Sequence, residues 1–85
     1  MPREYRVYVY ILRSKSHPSE IYVGCTHDLK SRVEEHNAGG SPHTSKFMPW
    51  ELVIFVRFSD QTKAFEFERY LKSGSGRAFA AKHFL

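Results

Sequence analysis

Apolar and polar residues alternate over 5–13, with Tyr5, Val7, Val9 and Ile11 on one side and Arg6, Tyr8, Tyr10 and Leu12 on the other. That period of two, in residues that favour extended backbone, predicts a first strand. Residues 14–20 bring Ser, Lys, His and Pro18, a connection too long for a two-residue turn but suited to a hairpin. A short second strand follows over 21–24, extendable to Cys25, antiparallel to the first and with Tyr22 and Gly24 on one face. Thr26 or Asp28 can cap a helix that runs to about Asn37, where Ala38, Gly39 and Gly40 stop it. Residues 41–49 read as loop. The near-continuous apolar run over 52–58 predicts a third strand covered on both faces. Ser59 or Asp60 caps a second helix through Lys72, the 73–76 stretch breaks it, and 77–84 forms a third. The order strand, strand, helix, strand, helix, helix predicts an α/β (α+β) domain with a mainly antiparallel three-stranded sheet flanked by helices.

Length and composition narrow the setting. With 85 residues there is room for one hydrophobic core, so 1–85 is expected to be a single free-standing domain, packed with the help of seven Phe, five Tyr and Trp50. Cys25 is the only cysteine, which excludes an intramolecular disulfide and points to a reducing compartment, the cytoplasm. No apolar run approaches the ~18 residues of a membrane span, and residues 1–12 lack a signal-peptide pattern, so the chain is expected to start as mature protein, away from the membrane. The net charge is +4, and 69–85, with Arg69, Lys72, Arg77 and Lys82 and no acidic residue, accounts for all of it. A polyanion is one partner for such a tail; a solvated basic helix face is the other explanation.

Candidate chemistry lies where polar groups interrupt apolar faces. At about 100° per residue, Leu29 and Val33 form the core stripe of the first helix, while Arg32 and His36 fall beside it and meet at the border of core and solvent. On the second helix Ala64, Phe67 and Leu71 define the buried arc, and Glu68 projects inside it. A carboxylate placed there requires a cation, a hydrogen-bond donor or a wet pocket. A metal ion would serve, as would a salt bridge to Arg32, Arg69 or Lys72. Tyr8, Tyr10 and Tyr22 share a sheet face, and beside Arg32, His36 and Glu68 they would make a titratable cluster. A structural zinc site built from Cys25, His27, His36 and His43 does not fit, because such sites use several cysteines in short pairs.

Taken in chain order, Tyr8-Val9-Tyr10, Tyr22-Val23-Gly24, Arg32, His36 and Glu68 resemble the GIY-YIG nuclease pattern over nearly the whole chain. The closing YLKSGSGRAF resembles small stand-alone bacterial members, and the pattern resembles that of the excision-repair nuclease N-terminal domain. The resemblance implies an endonuclease that hydrolyses DNA phosphodiester bonds, in repair or recombination, with one divalent metal, magnesium or manganese, held by Glu68. It also implies that Arg32 neutralises the phosphorane and that the Tyr10 phenolate, supported by His36 and Tyr22, is the base. Lowering a phenol from about 10 to about 7 requires roughly 4 kcal/mol. His36 already titrates near neutrality, and it can be base, relay or phosphate ligand. Lys46, Lys72, Arg77 and Lys82 are candidate contacts to the DNA backbone. Two positions depart from the pattern: Tyr8 stands where the family name has Gly, and Ala80 stands where many members carry Asn. The rival function is a non-catalytic nucleic-acid binder, with sheet tyrosines stacking bases and the basic tail following the backbone.

Overall fold

The computed structural model describes residues 6–85, so Tyr5 of the expected first strand lies outside the described residues. In chain order the elements are β1 (Val7–Ser14), β2 (Ile21–Thr26), α1 (Leu29–Asn37), α2 (Pro42–Ser45), β3 (Trp50–Phe58), α3 (Gln61–Leu71) and α4 (Gly74–His83). The three strands form one antiparallel sheet in the order β2-β1-β3. Among the described residues no helix is long and apolar enough to cross a membrane.

The caps act where the side-chain chemistry places them. Asp28 accepts from the Ser31 amide at 3.1 Å and starts α1, and Asp60 accepts from Thr62 and Lys63 at 2.8 and 3.2 Å and starts α3. Past the end of α1, Gly39 takes φ +79°, the left-handed conformation that a helix exit favours.

Three expectations need correction. The 41–49 segment is not all loop, because Ser41 sits at an N-cap position and Pro42 at the first helical position, and together they begin the single turn α2. The glycines after α3 do not merely terminate it. Lys72 is its C-cap, Ser73 caps α4 by accepting from the Gly76 amide at 3.2 Å, and both glycines belong to the first turn of α4. A Cβ on Gly76 would collide with the Tyr70 carbonyl, so the missing side chain lets α4 fold back tightly on α3.

The strand buried on both faces is β1, not β3. Pairing on both sides places β1 at the centre, with Val7, Val9 and Ile11 packed on Ala64, Leu71 and Ala80, and Tyr10 and Leu12 packed with Trp50, Leu29 and Val33 on the other face. The apolar run of β3 has a different origin. The register with β1 passes from Ile11↔Ile54 to Leu12↔Leu52, leaving Val53 as the extra residue of a bulge. Consecutive Val53 and Ile54 therefore both pack on the first core. As an edge strand, β3 leaves Phe55 48% exposed.

Candidate active site

The site is built around Tyr10, which is completely buried. Its direct partner on β2 is Gly24, and a Cβ there would collide with the phenol ring and hydroxyl. The glycine thus lets the ring lie flat across β2 and carry its hydroxyl towards the sheet edge. Gly24→Ala is expected to push this ring aside and to destabilise the fold by about 1–3 kcal/mol. A thermal melt, read beside the loss of any Tyr10-dependent activity, checks that expectation.

The Tyr10 hydroxyl lies 3.1 Å from His36 Nε2, and His36 Nδ1 lies 2.9 Å from Thr44 Oγ1. His36 is only 2% exposed, and so is inside the core instead of at its border as the helix periodicity implies. The α2 turn closes over it. Thr44, also buried, has its hydroxyl 3.5 Å from the Ser41 carbonyl. All these groups are satisfied when Thr44 donates to Ser41, His36 Nδ1–H donates to Thr44, and the bare Nε2 accepts from Tyr10. Further out, Trp50 Nε1–H donates to the Thr44 carbonyl at 2.9 Å. Asn37 and the Trp50 backbone exchange two bonds of 2.6 and 3.0 Å, which tie the end of α1 to the start of β3. Thr44 and Asn37 are supports that sequence reasoning missed, while Trp50 lies in the core as expected; the Ser41-Pro42 helix start is the signal that points to Thr44.

Tyr22 completes the buried side, with its ring centroid 4.6 Å from that of His36 and 6.2 Å from that of Tyr10. Tyr8 shares the face but stands apart from this group, with its ring edge-on to Phe55 at 5.8 Å. Arg32 stands on α1 with its side chain 43% exposed, 3.3 Å from Glu35, and its charge acts on the Tyr10 phenol. Glu68 is half-buried at 24% side-chain exposure, with the Lys72 ammonium 3.1 Å away, the ion pair that helix spacing allows.

Electrostatics tie these groups together. Burial, then Tyr22, pushes the Tyr10 phenol well above its ordinary value; Arg32 opposes this and Glu68 adds to it. Burial, then Arg32, pulls His36 below the usual imidazole value, against Glu35. Burial raises the Cys25 thiol, with Glu68 adding to that rise and Lys72 opposing it. Although α3 packs on the opposite face of the sheet from α1, Glu68 is therefore felt by both Cys25 and Tyr10 at the β2 edge.

The basic candidates divide. Lys72 and Arg77 line a groove of about 690 Å³ beside β2, together with Tyr22 and His43. Lys46 is exposed just after α2, and Lys82 is exposed in the last turn of α4; neither lines that groove. Ala80 is buried but lines the same groove, and its methyl offers no polar contact there.

Comparison with known proteins adds independent findings. A model described as the GIY-YIG catalytic domain matches residues 6–81. The structure-specific endonuclease subunit slx1 of Talaromyces stipitatus is 42% identical over 65 residues, 69% of this chain and 17% of that protein. The structure-specific endonuclease subunit SLX1 homolog of Giardia intestinalis is 37% identical over 65 residues, 72% of this chain and 18% of its own length. The chain thus spans less than a fifth of the length of these curated relatives. The solution NMR structure of a UPF0213 protein from Bacillus halodurans superposes with a TM-score of 0.56 at 29% identity, covering 91% of this chain and 83% of that one.

Proposed function

The chain belongs to the GIY-YIG family, and from that premise we propose that it is a divalent-metal-dependent endonuclease hydrolysing DNA phosphodiester bonds through Tyr10, Tyr22, Arg32, His36 and Glu68. The observation that carries this reading is the buried Tyr10–His36 hydrogen bond, 3.1 Å long, with Arg32 at its mouth and the half-buried Glu68 acting on the same phenol. Relatives named as structure-specific endonuclease subunits support it.

Glu68 fits a hydrated magnesium. Its carboxylate is accessible enough to keep waters on an ion, and the Lys72 ammonium at 3.1 Å shows that a cation is accommodated beside it. Among the described residues no group of three or more His, Cys, Asp or Glu converges as a closed metal cage would need. Magnesium needs none, since one or two carboxylates with waters and phosphate suffice. Such a cation would supply Lewis-acid stabilisation of the departing oxygen.

The other steps belong to this chain's own groups. Arg32 reaches solvent and would meet the charge that builds on the phosphoryl oxygens. Tyr10 is fully covered and feels the charge of Arg32, so a shift of Arg32 towards a phosphate would open the phenol to a water. A phenol raised this far above neutrality does not ionise freely. It takes the water's proton as it passes its own to His36 Nε2, which burial keeps neutral and ready to accept. Lys72 and Arg77, beside Tyr22 in the β2 groove, would hold the backbone of the strand, with Lys46 and Lys82 as outlying contacts.

Nicking of plasmid or branched DNA with magnesium or manganese, silenced by chelation, tests the proposal. Binding without cutting under every metal would favour the rival reading of a nucleic-acid binder. The acid limb of the rate should lie below pH 6.5, because the neutral His36 is the active form and its pKa is lowered from that value. A rate already halved above that pH would exclude His36 as the proton acceptor.

A further inference from the structure

The face that carries Tyr10 is only partly covered. Read across the strands, one row runs Gly24, Tyr10, Phe55 and the next Thr26, Tyr8, Arg57. The core on this side gathers Tyr10, Leu12, Trp50, Tyr22, Leu29, Val33 and Phe47, and leaves Phe55 and Tyr8 outside it. Phe55, the cross-strand neighbour of the proposed catalytic phenol, keeps 48% of its surface in solvent and is braced edge-on by Tyr8, at 5.8 Å and 68° between planes. Nothing in strand formation requires this, because a β-branched residue would serve a half-exposed edge equally well.

The surroundings say what such a ring can meet. The six positions of the two rows include no acidic residue; Arg57 lies exposed opposite Tyr8, and the partly exposed Arg32 borders Tyr10. An aromatic face flanked by guanidinium groups complements a nucleotide, whose base stacks on the ring while its phosphates meet the cations. Directly opposed residues in a sheet lie roughly 5 Å apart, so a base on Phe55 belongs to a nucleotide adjoining the phosphate at Tyr10. A base inside a duplex cannot offer its face this way. We propose that Tyr8 and Phe55 form a stacking platform for an unpaired DNA base next to the scissile phosphate, an inference that rests on the nuclease reading above and assigns it substrates with a single-stranded or branched element.

The test uses a flap duplex with 2-aminopurine at the first unpaired position and the matching fully paired duplex, both titrated in chelator so that binding is read without cutting. With the wild-type protein the 2-aminopurine fluorescence should be quenched on binding. Phe55→Ala should abolish the quenching and weaken flap binding by about 5- to 100-fold, leave duplex binding unchanged, and melt as the wild type does; Phe55→Trp should retain the flap signal. Flap binding that ignores Phe55→Ala, or a loss equal on flap and duplex, overturns the platform. So does a shift from dimer to monomer by sedimentation without any change in flap binding, which would give the patch to a second copy. Wild-type protein that stacks the flap through Phe55 but cuts nothing with magnesium or manganese would sink the nuclease reading instead, and failure to bind any DNA would sink both.

Discussion

Replacing Glu68 with alanine is expected to lower DNA cleavage by about 10³-fold or more while leaving folding and DNA binding in place. The stability side is small. Glu68 is half-buried and its partner Lys72 stands one helical turn away with its own side chain largely in solvent, and such pairs contribute only about 0.3–0.5 kcal/mol. The catalytic side is large because, in the proposed site, this carboxylate is the metal's protein ligand. A Lewis acid contributes several kcal/mol of charge stabilisation, and about 4 kcal/mol corresponds to about 10³ in rate. One effect has the opposite sign. The Glu68 charge raises the Tyr10 phenol, so its removal eases proton transfer and softens the loss without reversing it. Single-turnover nicking rates, binding in chelator and a thermal melt separate the three quantities. A variant that cuts within tenfold of wild type, at saturating metal, would place the cation elsewhere.

Much of this arrangement is legible in the chain because local chemistry dictates it. Alternation around Tyr10 and Tyr22, and the caps Asp28 and Asp60, are short-range signals, and the strands and helices they predict all form. Beyond the short starts of α2 and α4, which local signals at Ser41-Pro42 and Ser73 do carry, what escapes is decided by distant pairing. The apolar run of β3 looks like a doubly covered strand, yet strand order puts β1 in the centre, and a bulge turns Val53 and Ile54 to the same core. Likewise, helix periodicity sets His36 beside the core stripe of α1, and its full burial comes from the α2 turn and Trp50 closing over it. Of Arg32, Arg69 and Lys72, the partner of Glu68 is Lys72, four residues on, a pairing that helix spacing sets without tertiary information. Its reach to Tyr10 around the β2 edge does need that information, and no local pattern carries it.

Tyr10→Phe and His36→Gln are each expected to slow cleavage by about 10²- to 10⁴-fold, the range of a positioned proton-transfer group, and the double variant should be little slower than the worse single one. Tyr10→Phe preserves the ring across Gly24 and removes only the hydroxyl, leaving the buried Nε2 without its donor at a cost of about 1–3 kcal/mol. Non-additivity follows from the 3.1 Å bond: if the phenol accepts the water's proton only while passing its own to Nε2, then removing either end stops the same transfer. Thr44 extends the argument. As the acceptor of Nδ1–H it selects the tautomer that leaves Nε2 bare, so Thr44→Val should also slow cleavage, and Thr44→Ser, which keeps the hydroxyl, should recover most of the rate. A double-mutant cycle on single-turnover rates decides the matter, with melts to correct for folding. Losses that multiply would mean that Tyr10 and His36 act independently, and the bond between them would then be a core contact with no part in moving the proton.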